Sequence, residues 1–188
     1  FKEESIELGP PEISNRPYGI SKRTLMEALR AARIQYGVKS VSLLMANLYG
    51  VGMDDSTNGH VIPEIFRKCV EYKRGLAQQI TLFGDGTCSR DMLNVQDAAK
   101  AIIKTLKLQD GPTDVLGLNV GSGEESPINR IAYYITELMG VPMEKVVWGK
   151  REENGQQRRA LCTKRAKELL GWKSEIELYD GLKELSSY

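Results

Sequence analysis

The apolar positions of the N-terminal quarter change from helical spacing to a continuous run. Apolar residues recur at helical spacing over 17–36, with Pro17 suited to a first turn and Gly37 ending the pattern. The run VSLLMANLY at 41–49 is continuously apolar, which is typical of a strand buried on both faces of a parallel sheet. A loop rich in Gly, Asp, Ser and Asn is predicted over 50–60.

The rest of the chain alternates shorter apolar runs with helical patterns. A helix is predicted to begin near Pro63, with Ile65, Phe66, Cys69 and Val70 as its apolar stripe. Asp97 is expected to cap a helix whose inward side chains are Ala98, Ala101, Ile102 and Leu106. The other predicted elements are strands at 80–83, 92–95, 116–120 and 145–148 and helices at 126–140 and 163–171. This alternation predicts an α/β fold, and the short later strands suggest a smaller appended lobe.

Composition narrows the class of protein. The 188 residues suffice for a domain with a real core, and a formal net charge of +1 gives no general attraction to nucleic acid or an anionic membrane. No apolar run approaches the roughly 18 residues that a membrane span requires. The three cysteines, Cys69, Cys88 and Cys162, are odd in number and widely spaced. This pattern argues against a disulfide framework or a zinc site. We therefore expect a cytoplasmic protein without a metal.

A tyrosine and a lysine stand four positions apart at the start of the first helix. Tyr18 and Lys22, in the stretch NRPYGISKR, would share one helical face. An ammonium group near a tyrosine stabilises the phenolate, so such a pair can exchange a proton with a carbonyl or alcohol. The same spacing also arises by chance in ordinary amphipathic helices. Other segments of the sequence must therefore show whether this pair is functional.

Those segments resemble one family over nearly the whole chain. PYGISKRTLMEAL, the NLYG at 47–50, FGDGTCSRDMLNVQDAAKAI, NVGSGEE and AKELLGW follow in the order found in the extended short-chain dehydrogenase/reductases. This family contains nucleotide-sugar epimerases, dehydratases and reductases. The resemblance runs from about Pro10 to Leu185.

The resemblance implies a particular architecture. We expect the C-terminal half of an extended Rossmann-type doubly wound sheet together with a smaller α/β substrate-binding lobe. Residues 1–60 would be the C-terminal part of the dinucleotide-binding domain. Residues 61–188 would be mainly the nucleotide-sugar lobe, with 88–110 returning to the Rossmann sheet.

Within the family, NGHVIPEIFRK and ITLFGDGTCSRDMLNV look like the epimerase-reductases of GDP-4-keto-6-deoxymannose. The resemblance implies that Tyr18 and Lys22 are catalytic and contact the cofactor. It also makes His60, the one histidine of the sequence, an acid for epimerisation. Imidazole exchanges a proton near neutral pH, as inversion beside a ketone requires. The family's epimerisation base is a cysteine expected before Phe1.

The same resemblance supplies candidate binding residues. Arg90 matches a diphosphate- or ribose-binding arginine, and guanidinium suits that bidentate contact. Lys68 is expected at phosphate, Phe83 against the base or ribose, and either Arg158 or Arg159 as a second basic contact, with Arg158 taken as the candidate. The remaining candidates are Val61 for substrate, Asn47 for substrate or cofactor, and Met45 and Leu48 for the nicotinamide pocket.

The family implies NADP as cofactor, with NAD as the alternative, and a main binding loop upstream of Phe1. The segment NVGSGEES at 119–126 imitates a dinucleotide fingerprint, but Ser126 stands where its third glycine belongs. We therefore reject it as the cofactor loop. The family also implies a homodimer and a nucleotide-sugar substrate.

Two other functions stay open. One is an NAD-dependent 4-epimerase or 4,6-dehydratase of another nucleotide sugar, which would need no histidine in the loop of His60. The other is a non-catalytic binding or regulatory member of the same fold, against which the intact Tyr18–Lys22 pair counts.

Overall fold

The structure is a computed structural model that describes residues 1–53, 60–108 and 117–187. Part of the predicted 50–60 loop and Leu116 of a predicted strand lie outside the described residues. The helices are α1 Arg16–Tyr36, α2 Val61–Lys73, α3 Val95–Leu106, α4 Ile128–Leu138, α5 Lys164–Leu170 and α6 Leu178–Leu185. The strands are β1 Leu43–Met45, β2 Asn47–Tyr49, β3 Ile80–Leu82, β4 Ser89–Arg90, β5 Met92–Asn94, β6 Leu118–Val120, β7 Ser126–Pro127, β8 Val146–Trp148 and β9 Arg158–Arg159.

Helix α1 begins and ends where its sequence predicts. Pro17 occupies its first turn, where a missing N–H costs nothing. Gly37 closes it in the left-handed conformation at φ 68°, and its N–H donates to the carbonyl of Arg33. The predicted helix is confirmed, although its apolar face is at best half-buried.

The predicted strand at 41–49 divides because its pairing partner changes. β1 pairs in parallel with β6, whereas β2 pairs in parallel with β5. At the junction the Ala46 N–H donates to the carbonyl of Val120, and the next N–H, of Asn47, donates to that of Asp91. The expectation of burial on both faces is wrong, since Leu48 is exposed and β1 is half-buried.

The remaining strands complete the α/β arrangement. β3 pairs in parallel with β8, and the two-residue β4 lies between β7, antiparallel, and β9, parallel. Sequence patterns did not reveal β4, β7, β9 or α6, because two-residue strands carry no periodicity of their own. The predicted α/β class is confirmed, and among the described residues pairing is parallel in three of the four sheets and in part of the fourth.

Two apolar cores flank the β2–β5 pair. Met92 of β5 belongs to the larger core, and its neighbour Leu93 belongs to the smaller one, as alternation along a strand requires. The larger core includes Ile62, Ile65, Cys69, Ile80, Leu82, Ile131, Ile135 and Leu182. The smaller core includes Ala98, Ala101, Leu118, Val120, Ala166 and Trp172.

The start of α3 differs from the prediction. The cap is Asn94, whose side chain accepts from the Gln96 N–H, whereas Asp97 lies inside the first turn and is buried. Asp97 instead accepts hydrogen bonds from the backbone N–H groups of Glu175 and Ile176 at 2.7 and 2.8 Å. Ala98 and Ala101 face the core as expected, but Ile102 and Leu106 are exposed.

Membrane-spanning helices were sought among the described residues. None of those helices combines the length and the apolar character that crossing a bilayer demands.

Candidate functional site

A cleft of about 1010 Å³ opens at the N-terminus of α2. The loop after β3 and the segment leading into β9 form other parts of its wall. Seven predicted site residues line it: Asn47, Leu48, His60, Val61, Lys68, Phe83 and Arg90. The fold therefore gathers residues that lie up to 43 positions apart in the sequence into one concave surface.

His60 lies at the N-terminus of α2. It is the N-cap residue, with extended backbone at φ −99° and ψ 124°, and its carbonyl accepts from the Glu64 N–H at 3.1 Å. Val61 follows as the first helical residue. The imidazole is exposed in the cleft wall, where proton exchange with a bound molecule is sterically possible.

Two neighbouring arginines, Arg90 and Arg159, bring positive charge to one part of the cleft. One terminal nitrogen of Arg90 donates to the carbonyls of Ser89 and Gln156, both at 2.7 Å. Burial, and then the positive charge of Arg159, lower the pKa of Arg90 from its ordinary value. Arg159 itself is held by Gln156, whose Oε1 accepts from its Nε at 3.1 Å. Two adjacent guanidinium groups that repel each other favour an anion between or beside them.

The structure places Arg159, rather than Arg158, among the described lining residues. Arg158 is turned to the opposite side of β9, where its Nε donates to Glu125 Oε1 at 2.7 Å and a second nitrogen also pairs with that carboxylate. These bonds, with one from Ser89, lower the pKa of Glu125 to about 2. Successive strand residues face opposite ways, so the sequence could not decide between the two arginines.

Asp85 and Asn154 join two parts of the wall. The Asp85 N–H donates to Asn154 Oδ1 at 3.1 Å, and Asn154 Nδ2 donates back to Asp85 Oδ1 at 2.9 Å. Hydrogen bonds from Thr87 and then from Asn154 lower the pKa of Asp85 to about 2. Gly84, at φ 68°, lies so close to Asn154 Oδ1 that a Cβ there would collide with it. Sequence reasoning missed Asn154, for which the NG pair in a polar loop was the available signal.

Lys68 and Phe83 form a stacked pair at the cleft. The Lys68 ammonium lies 5.8 Å from the centroid of the Phe83 ring. It also pairs with the Glu64 carboxylate and donates to the Thr81 carbonyl at 2.6 Å. The phenyl ring is 77% exposed. The lysine is therefore engaged within the protein, whereas the ring offers open surface.

The strand residues predicted near the cofactor separate into two groups. Asn47 Nδ2 donates to the Asp91 carbonyl at 3.1 Å, which orients its carboxamide at the cleft, and Leu48 lies beside it. Met45 instead packs against the smaller core. Of the two predicted nicotinamide neighbours, only Leu48 belongs to the described cleft lining.

Tyr18 and Lys22 are together but outside the described cleft lining. The Lys22 ammonium lies 5.3 Å from the centroid of the Tyr18 ring, so the pair shares one face of α1 as its spacing predicts. Tyr18 is 59% exposed. Asn15, one residue before α1, lines the cleft, so the helix starts at the rim of the cleft.

The glycine-containing segment at 119–126 binds a carboxylate of the protein itself. The N–H and Oγ of Ser122 donate to Asp91 Oδ1 at 2.8 and 2.7 Å. A Cβ at Gly121 would collide with the same carboxylate. These amide and hydroxyl donors are occupied by Asp91, which supports the rejection of this segment as a phosphate-binding loop.

Comparison with known proteins gives one family and a range of relatives. Residues 1–121 match the NAD dependent epimerase/dehydratase family. The chain is 33% identical over 183 residues to the probable GDP-L-fucose synthase 1 of Oryza sativa subsp. japonica, covering 97% of this chain and 54% of the rice protein. The chain thus spans about half the length of the curated relatives it matches.

Two solved structures show the same fold. The UDP-glucose 4-epimerase of Thermotoga maritima, crystallised with UDP-glucose, is 28% identical with a TM-score of 0.79, over 92% of this chain and 52% of that one. RMD from Pseudomonas aeruginosa, complexed with NADPH, is 26% identical with a TM-score of 0.75, over 91% of this chain and 55% of that one. The fold predicted from the resemblance is confirmed.

Proposed function

Because the chain belongs to the NAD dependent epimerase/dehydratase family, we propose that it contributes to a nucleotide-sugar epimerase-reductase that converts GDP-4-keto-6-deoxymannose to GDP-L-fucose. The observation that carries this proposal is the joint presence of His60 and Arg90 in one cleft. An acid beside a cationic diphosphate site suits epimerisation of a nucleotide-linked ketosugar. The likeness to the rice GDP-L-fucose synthase supports the choice of substrate.

Each residue has a chemical role in this proposal. The guanidinium groups of Arg90 and Arg159 bind the diphosphate, and Phe83 packs against the base. Asn47 and Val61 contact the sugar. His60 donates a proton during inversion at C3 and C5, and Tyr18 donates a proton to O4 during reduction at C4, with Lys22 favouring the phenolate that remains.

NADPH would supply the hydride for that reduction, with NAD as the alternative cofactor. Tyr18 and Lys22 fit a nicotinamide ribose in that both are exposed on one face of α1. Leu48 offers apolar surface at the cleft, whereas Met45 is engaged in the smaller core and fits less well. We further propose a cytoplasmic homodimer, and the division at residue 60 into cofactor and substrate parts stays a prediction.

The test separates the two proton transfers. With the complete enzyme and GDP-4-keto-6-deoxymannose in D₂O, NMR measures deuterium incorporation at C3 and C5, and absorbance measures NADPH oxidation. His60→Ala is expected to slow incorporation at least about 100-fold, the usual effect of losing a general acid. Tyr18→Phe is expected to slow NADPH oxidation similarly while incorporation continues.

The opposite results would support other functions. Undiminished incorporation in His60→Ala would remove the main support for an epimerase-reductase. Interconversion of UDP-glucose and UDP-galactose with NAD would favour the 4-epimerase function, which the likeness to the Thermotoga maritima enzyme also permits. Binding of GDP without turnover in the complete enzyme would favour a regulatory member.

A further inference from the structure

We propose that Asp91 is a positioning residue for nucleotide binding, whose carboxylate holds the end of β9 and thereby places the Arg159 guanidinium at the diphosphate. This inference rests on the proposed function, because it concerns how the protein presents the cationic groups of that same cleft. Asp91 is 1% exposed and does not belong to the described cleft lining. It therefore acts on the nucleotide only through its neighbours.

The main chain of Asp91 joins two residues of the cleft wall. Its N–H donates to the Arg159 carbonyl at 2.9 Å, and its carbonyl accepts from both the N–H and the Nδ2 of Asn47 at 3.1 Å. Both partners line the cleft, as does Arg90, which directly precedes Asp91. Asp91 thus lies behind the cleft wall, between the residue that pairs with β9 and the strand that pairs with β2.

The carboxylate of Asp91 binds two further segments. Its Oδ1 accepts from the N–H and the Oγ of Ser122 at 2.8 and 2.7 Å, and its Oδ2 accepts from the Leu161 N–H at 3.3 Å. Gly121 leaves room for this carboxylate, since a Cβ there would lie too close to Oδ2. One oxygen is therefore anchored by the glycine-containing segment, while the other holds the backbone two residues after Arg159.

Arg159 depends on such support more than its neighbour does. The Arg90 guanidinium is fixed by two main-chain carbonyls, those of Ser89 and Gln156. The bond described for the Arg159 guanidinium runs from Nε to another side-chain atom, Gln156 Oε1, at 3.1 Å. Because β9 has two residues, contacts beyond the strand must set the position of its end. Asp91 supplies bonds at Arg159 itself and two residues further on.

Replacing Asp91 by asparagine breaks one side of this arrangement selectively. The carboxamide has one acceptor oxygen, which would stay with the two donors of Ser122, and its NH₂ would then face the Leu161 N–H. Two donors in contact repel each other, so the end of β9 loses its anchor while the side-chain volume is nearly unchanged. The Arg159 guanidinium is then less well placed, and GDP should bind more weakly.

Asp97 provides a matched control. This aspartate is likewise buried, at 0% exposure, and likewise accepts from distant backbone N–H groups, those of Glu175 and Ile176. Neither of these partners belongs to the described cleft lining. Asp91→Asn and Asp97→Asn should therefore both lower the thermal midpoint of unfolding, whereas only Asp91→Asn should affect nucleotide binding.

The experiment measures the GDP affinity of the complete enzyme by isothermal titration calorimetry at two ionic strengths. Arg159→Gln is expected to weaken GDP binding about tenfold, and Asp91→Asn about fivefold. Because Asp91 acts through Arg159, adding Asp91→Asn to Arg159→Gln should change the affinity no further. Both single variants should also reduce the dependence of binding on ionic strength, which screens charge pairs. Asp97→Asn should bind GDP as the wild type does.

The outcomes separate this inference from the proposed function. An equal loss of affinity from Asp91→Asn in the wild-type and Arg159→Gln backgrounds would overturn the positioning role. Wild-type affinity in Asp91→Asn, or an equal loss in Asp97→Asn, would overturn it as well. Each of these results leaves the proposed function intact. Absence of GDP binding by the folded wild-type enzyme would instead contradict the proposed function.

A milder variant keeps the test decisive if Asp91→Asn does not fold. Ser122→Ala removes one donor from the same carboxylate and is expected to weaken GDP binding about twofold, again only while Arg159 is present. Wild-type affinity in Ser122→Ala would then count against the positioning role. Far-ultraviolet circular dichroism confirms that each variant is folded.

Discussion

Helices α1 and α4 show how differently this chain supports its two chemical regions. None of the 21 residues of α1, all of which the structure describes, is buried, although the helix carries Tyr18 and Lys22. The shorter α4 buries four residues and packs against α2 and α6. α2 in turn carries Lys68 and has His60 as its N-cap residue. The cleft is therefore built on a packed core, while the Tyr18–Lys22 pair lies on a helix that the described residues leave largely uncovered.

This difference affects what each region can do. A binding cleft requires side chains held by their neighbours, and the bonds of Arg90, Asn47 and Asn154 provide that restraint. Tyr18 and Lys22 share one face of α1, but the described residues do not fix their distance from a substrate. Binding should therefore tolerate changes in α1, whereas proton transfer to O4 should not.

The largest expected effect comes from a matched pair of isoleucines. Ile135 of α4 is 0% exposed and Ile34 of α1 is 76% exposed. Ile135→Ala is expected to lower the free energy of unfolding by about 3 kcal/mol, because it leaves a cavity in the larger core. Ile34→Ala should change it by less than about 0.5 kcal/mol. Urea unfolding followed by circular dichroism measures both.

Equal losses of unfolding free energy from Ile135→Ala and Ile34→Ala would contradict the inferred difference in packing between α4 and α1. In particular, a loss of about 2 kcal/mol or more from Ile34→Ala would show that α1 is packed in solution against something that the described residues do not include. Wild-type slopes of unfolding free energy against urea in both variants serve as the control that the compared states are the same.

A smaller expected effect, confined to the cleft, is a change in the pH dependence of stability at acidic pH. The pKa of Asp85 is lowered to about 2 by hydrogen bonds from Thr87 and Asn154. A carboxyl whose pKa is depressed in the folded state stabilises the fold above its unfolded pKa, near ~3.9, and loses this contribution as pH falls through the folded value. Asp85→Asn should therefore be less stable than wild type at pH 6, with the difference shrinking toward pH 2. Thermal unfolding at several pH values measures it.

A constant difference between Asp85→Asn and wild type over that range would contradict the proposed contribution of the carboxylate charge. Glu27→Gln on α1 is the matched control. It removes a carboxylate that is paired with Arg30 at 3.7 Å on an exposed surface. Such exposed pairs contribute little, so its stability should follow wild type at every pH.

Local sequence patterns correctly predicted those helix ends that depend only on neighbouring residues. Pro17 and Gly37 fixed the bounds of α1, and Gly171 in the left-handed conformation ends α5 as expected. Asp97 was misassigned as a cap because an acidic residue before Ala-Ala resembles a helix start. Its actual partners, the N–H groups of Glu175 and Ile176, lie 78 and 79 residues away and have no trace in the local pattern.

The candidate site shows the same difference between features that local motifs indicate and features that tertiary packing determines. His60, Phe83 and Arg90 were found because they stand in recognisable motifs, and all three line the cleft. Lys68 was predicted to bind phosphate and it lines the cleft, whereas its contacts with Glu64 and Phe83 depend on how α2 packs beside β3. The choice of Arg159 over Arg158 depends on which side of β9 faces the cleft. These are tertiary facts that spacing alone does not contain.

The proposed binding site of the nucleoside diphosphate is the cleft, and not α1 or the glycine-containing segment. Backbone-amide chemical shifts of the isotope-labelled chain, recorded during addition of GDP, test it most directly. We predict that the shifts change at 60–68, 82–90 and 154–159, and that those of α1 from Lys22 to Tyr36 stay constant. Changes concentrated at 119–126 or along α1, with the cleft residues unaffected, would contradict it.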